Sequence, residues 1–150
     1  MRTAYLYMED CIPGQKFNAG PITVASEEII AYARQFDPQD FHTDAEKAKN
    51  TAFGELVASG WHTASLTMRL LVEAIPPMEG GMIGRRVESM DWPRPVRPGD
   101  TLRLETEILW KRPTSNPKRG ILRTKNTTTN QNGEIVMTME AVIFIPRKPV

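Results

Sequence analysis

A single cysteine, two histidines and no run of about 18 apolar residues leave few specialised chemistries open to this chain. With Cys11 alone no internal disulfide can form, and a reducing compartment, the cytoplasm, is the expected setting. Cys11 lies beside Ile12-Pro13-Gly14 with no histidine near it in sequence to take its proton, and it reads as an incidental thiol. Two histidines without a cysteine cluster give no zinc spacing, so no metal is expected. The stretch from Met1 to Asp10 lacks the continuous apolar region of a signal peptide. Charge is nearly balanced at +1, and the basic residues are scattered, with modest pairs at Arg85-Arg86 and Lys118-Arg119. That balance argues against nucleic acid or a membrane surface as partner.

What is present is a regular alternation of periodic segments and punctuation. The 150 residues suit one domain, 1–150, with residues 1–13 as an arm or edge segment. Lys16 to Val24 is extended and interrupted by Gly20-Pro21. Ser26 reads as the N-cap of a helix over 26–35, with Glu27 and Glu28 in its first turn. Pro38 ends it and forces Asp37 into a corner. A short helix over 44–49 follows, capped by Thr43 or Asp44. From Leu56 to Ile75 apolar residues recur at intervals of three and four (Trp61, Met68, Leu71, Val72), with small residues crowding the first half. That pattern predicts a helix buried on most sides.

After Pro76-Pro77 the period becomes two. Strands are expected over 83–92, over 101–112 with Leu102, Leu104, Thr106, Ile108 and Trp110 on one face, over 120–129, and over 134–145 with Ile135 to Ile145 on one face. Asn130-Gln131-Asn132-Gly133 is a hairpin turn. Antiparallel strands following one apolar helix predict an α+β structure in which the sheet curls around that helix.

The chemistry-bearing residues fall in two runs. Phe36-Asp37-Pro38-Gln39-Asp40-Phe41-His42-Thr43-Asp44 holds an aspartate and a histidine five residues apart, and Ala58-Ser59-Gly60-Trp61-His62-Thr63-Ala64 opens the central helix. A carboxylate and an imidazole at one turn can hold a water and pass its protons, the chemistry of adding water to, or removing it from, a carbon–carbon bond. On residue types alone, Asp37 also reads as a turn or capping residue and His42 as a structural histidine. His62, on the buried helix, reads as hydrogen-bonded and structural.

These two runs, with the turn Pro95-Val96-Arg97-Pro98-Gly99-Asp100, resemble the MaoC-like dehydratases, hot-dog proteins that include the (R)-specific enoyl-CoA hydratases. The family motif Gly-Asp-x-Asn-Pro-x-His-x-Asp is kept in its spacing, with Phe36, Gln39 and Asp40 replacing the glycine, asparagine and proline. The resemblance implies a single hot-dog domain with Asp37 and His42 as the catalytic pair. Gly60 would offer its amide to the thioester oxygen, and Trp61 would touch the substrate. It implies a hydratase or dehydratase of 2-enoyl and 3-hydroxyacyl thioesters that needs no cofactor, coenzyme A entering as part of the substrate. A homodimer or higher even homo-oligomer is expected. Two other readings remain: a hot-dog thioesterase, and a non-catalytic subunit that binds acyl thioesters.

Overall fold

A computed structural model of the chain describes residues 4–150. The element order is β1 (Lys16–Thr23), α1 (Ser26–Phe36), α2 (Asp40–Thr43), α3 (Ala45–Ala48), α4 (Gly60–Ala74), β2 (Ile83–Asp91), β3 (Thr101–Pro113), β4 (Arg119–Thr129) and β5 (Ile135–Pro146). The strands form one antiparallel sheet in the order β1-β3-β4-β5-β2, and α4 lies against its inner face. Alternation turns Leu102, Leu104, Thr106 and Ile108 of β3 inward, and Leu122, Thr124, Asn126 and Thr128 of β4 beside them. Leu70 and Leu71 of α4 meet this surface and are buried. Each such side chain contributes about 1.5–3 kcal/mol. A buried hydrogen bond of 2.7 Å between Thr67 Oγ1 and Thr128 Oγ1 ties α4 to the middle of the sheet.

Several expectations need correcting. The central helix starts at Gly60, capped by Ser59, as the resemblance implies; the apolar pattern from Leu56 runs ahead of it, and residues 56–58 are buried outside the helix. The helix is not buried on most sides, since Trp61 (59% exposed), Met68 and Val72 (62%) form an uncovered stripe. Periodicity alone cannot distinguish a face covered by the chain's own sheet from one left bare. The N-cap of α1 is Ala25, and Ser26 is its first helical residue. Asp44 caps α3 by accepting from the Glu46 and Lys47 amides, and the preceding turn, α2, is helical too.

In β3 a bulge between Ile108 and Trp110 breaks the alternation, so Trp110 leaves the inner face and stacks under the Arg112 guanidinium at 4.3 Å. A second irregularity, where β4 meets β5 at Thr128/Thr129, leaves Ile135 exposed and Val136 buried.

Residues 1–3 of the expected arm lie outside the described residues. The rest of that segment packs into the body: Leu6, Met8 and Cys11 are core residues, and the Leu6 amide donates to the Pro77 carbonyl at 2.8 Å. Met8 presses on Gly120 so closely that no side chain fits there. Burial pushes the Cys11 thiol up to about 11, against the pull of nearby Lys111, so it stays protonated near neutral pH. No helix among the described residues is long and apolar enough to cross a membrane.

Candidate active site

Asp37 stands where α1 stops. Its own amide still donates to Ala33 O, but Pro38 turns the backbone out of the helix and aims the carboxylate across the chain. The one-turn helix α2 then brings His42 back to it, and the residue is 6% exposed. His42 Nε2 lies 3.3 Å from Asp37 Oδ2. On the other side of the ring, Nδ1 is 2.7 Å from the Val57 carbonyl. A carbonyl can only accept, so Nδ1 carries a proton and, in the neutral ring, Nε2 is bare toward Asp37. Nε2 and Oδ2 then face each other, close enough to share a proton between them.

The carboxylate is held from three directions. Gln39 Nε2 donates to Oδ1 at 2.6 Å, and Ser59 Oγ donates to Oδ2 at 2.7 Å. Burial pushes the Asp37 carboxyl up. The bonds from Gln39 and Ser59, with the charge of His42, outweigh it and hold the group below the usual carboxylate range. Ser59 is fully buried and does double duty, since its oxygen also accepts from the Trp61 amide at 3.3 Å as the N-cap of α4. One hydroxyl therefore joins the acidic side chain to the start of the central helix.

Gly60 is the first residue of α4, where an amide has no partner within the helix and the dipole favours negative charge. No partner for this amide is found among the described residues. A contact within the chain already requires glycine at this position. A Cβ on Gly60 would lie 2.8 Å from Cε2 of Trp92, whose Nε1 donates to the Gly60 carbonyl at 2.9 Å. Trp61 meets Trp92 edge to face, with centroids 5.6 Å apart.

Asp37, His42, Gly60 and Trp61, the four residues singled out in the sequence, line one cavity of about 440 Å³. Phe41 and Phe53, in contact at 5.1 Å, line it as well, as do Thr63, Trp92 and Arg94. A larger cavity of about 510 Å³ lies at the far end of α4, between Met68 and Met82, and holds no paired acid and base. His62 stays outside the site. It stacks on Tyr32 of α1 at 4.7 Å, and its Nδ1 is buried without a partner, so the expected hydrogen bond is missing at that atom.

Sequence reasoning missed Ser59 and Trp92. A serine directly before the first helical glycine is an N-cap signal that could have been read. The Trp92–Gly60 contact spans 32 residues and leaves no local mark.

Residues 10–130 match the model of the MaoC like domain. The uncharacterized protein YdeM of Bacillus subtilis (strain 168) is 33% identical over 134 residues, covering 89% of this chain and 94% of that protein. The crystal structure of the MaoC-like dehydratase from Rhodospirillum rubrum is 42% identical with a TM-score of 0.90, covering 97% of this chain and 99% of its own. The (R)-hydratase PhaJ1 from Pseudomonas aeruginosa, in its unliganded form, is 28% identical with a TM-score of 0.77 over 96% and 88% of the two chains. The curled five-stranded sheet around α4 is the hot-dog fold these structures share. Matched over most of its length in sequence and over nearly all of it in architecture, the chain belongs to the MaoC-like domain family, which includes dehydratases and (R)-hydratases.

Proposed function

We propose that the protein interconverts 2-enoyl and 3-hydroxyacyl thioesters of coenzyme A by adding or removing water. The observation that carries this is one cavity holding both the 3.3 Å Asp37–His42 pair and the unpaired Gly60 amide at a helix N-terminus. The kinship with PhaJ1, an (R)-hydratase, supports the same class of reaction.

In the hydration direction a water bonded to both dyad members attacks the β-carbon. Its proton passes to the dyad, and a dyad proton goes to the α-carbon, so H and OH add across the double bond. Such positioned proton transfer contributes about 10²–10⁴-fold. The electron pair displaced from the double bond resides on the thioester oxygen, where the Gly60 amide and the dipole of α4 stabilise it. Trp61 flanks the thioester. The chemistry calls for no resident cofactor, since coenzyme A is the carrier part of the substrate.

The reading includes a homodimer. Edge strand β2 is exposed along almost its whole length, and the Trp61–Met68–Val72 stripe of α4 is bare. A second copy is the partner we assign to this face. The lone cysteine supports a reducing, cytoplasmic setting.

Loss of the enoyl-thioester absorbance, followed with crotonyl-CoA and longer enoyl-CoAs, tests the reaction. Hydration by the wild type should fall by about 10²–10⁴-fold in Asp37→Asn and in His42→Ala, with folding intact. Activity that survives both substitutions would rule out the pair. Release of free thiol without hydration would mean a thioesterase. Binding without turnover would mean a non-catalytic subunit.

A further inference from the structure

We propose that Trp92 determines which acyl groups this site accepts, acting as a fixed wall that admits short chains and excludes long ones. The proposal rests on the hydratase reading for its substrate and on the contacts of Trp92 for its geometry.

Trp92, although 40% exposed, is held in place by its contacts with Gly60. Its single polar atom is satisfied by the Gly60 carbonyl, and its Cε2, Nε1 and Cδ2 atoms crowd the position a Gly60 Cβ would take, at 2.8, 3.0 and 3.1 Å. The Trp61 ring braces it at 5.6 Å, and Pro93 stiffens the backbone that follows. A ring held against Gly60, the residue whose amide is proposed to receive the thioester oxygen, lines the cavity where an acyl group would lie. Phe41, which also lines the cavity, stands edge-on to His42 at 4.5 Å between centroids and packs against Phe53, so aromatic rings line the pocket beside the dyad as well.

Within one chain, a long acyl tail also finds no continuation of the cavity. The dyad cavity, about 440 Å³, shares no lining residue with the 510 Å³ cavity beyond Met68. Within one chain the two are not a continuous channel, so an acyl tail that overfills the first cannot run on into the second. Hydrophobic walls of this type discriminate by about 10–200-fold for each methylene gained or lost.

The test is a chain-length series read in two ways, by kcat/KM for enoyl-CoAs from four to twelve carbons and by calorimetric Kd for the matching saturated acyl-CoAs. Wild type should favour four to six carbons over ten to twelve by about tenfold or more. Trp92→Ala should flatten or reverse that ratio through a gain on the long chains. Trp92→Phe, which keeps a ring, should preserve the ranking, and Trp92→Leu takes the place of the alanine variant if that one does not fold. A uniform loss at all lengths in Trp92→Ala, or a wild type indifferent to length, would overturn the proposal. A length bias in binding that Trp92 controls, without any turnover, would keep the wall and discard the hydratase reading. No binding of any thioester would discard both.

Discussion

The two ends of α4 are built on opposite plans. At its N-terminus a serine, an aspartate, a histidine and a tryptophan converge, and their key polar atoms are spoken for: Ser59 by Asp37 and Trp61, His42 by Val57 and Asp37, Trp92 by Gly60. At the other end Met68, Val72 and neighbouring Met82 surround a larger hollow with flexible apolar side chains. Volume alone would favour the second as a binding site. Convergent, hydrogen-bonded polar groups favour the first, and those are what orient a reacting molecule. A rigid, satisfied constellation is suited to chemistry, and a soft, bare surface is suited to being covered.

The largest effect on this contrast is expected from Gly60→Ala. The new methyl collides with a pinned indole, an overpacking of about 1–3 kcal/mol in thermal unfolding, and displacement near the reacting carbonyl should lower kcat/KM by about 10²-fold. Adding Trp92→Ala should remove most of the stability loss, a coupling that a double-mutant cycle measures. If the two losses simply add, the contact between Gly60 and Trp92 is not what requires glycine.

Ser59→Ala comes next. It removes a donor to a carboxylate, about 1.5 kcal/mol or tenfold in rate, and a helix cap of about 1 kcal/mol. The sign of the pH effect follows from Asp37. Its folded value is depressed, so its stabilisation is present above the ordinary carboxylate range and lost as pH falls through the folded value. Without Ser59 that folded value rises, and the acid limb of the kcat/KM profile should move to higher pH. An unmoved limb would show that Asp37 does not feel the serine.

At the soft end, Val72→Glu should leave the secondary structure unchanged and convert the expected dimer to monomer in analytical ultracentrifugation. A variant that stays dimeric would move the interface elsewhere. The smallest effect is reserved for His62→Phe. Burial holds the His62 imidazole below its ordinary value against the pull of Glu28, so its neutral form stabilises the fold above about pH 6.5. That advantage fades as pH falls below the unfolded value. The melting-temperature difference between wild type and His62→Phe should therefore widen from pH 7.5 to 5.5 in favour of phenylalanine. A constant difference would mean the ring titrates alike in both states.

The legibility of these two ends differs for a physical reason. Asp37 and His42 are five residues apart across a proline-forced corner, so local rules nearly suffice to bring them together. The strands after Pro77 were equally readable from alternation and turn residues, though not the placing of β2 at the far edge beside β5. What escaped depends on contacts between distant segments. Ser59 reaches back 22 residues to Asp37, and Trp92 reaches back 32 to Gly60. The bulge that turns Trp110 outward comes from pairing with β4, which leaves the sequence pattern of β3 intact. The bare stripe of α4 escaped because an apolar residue records that something should cover it without recording what.

The shared hydroxyl of Ser59 has one more consequence. The backbone proton of Trp61 is sheltered by the same oxygen that donates to Asp37. When the carboxylate gains a proton, its pull on the Ser59 hydroxyl weakens, and the shelter over the Trp61 amide should change with it. The exchange rate of a single main-chain hydrogen thus becomes a built-in reporter of the ionisation of the acidic group, readable in solution without any substrate.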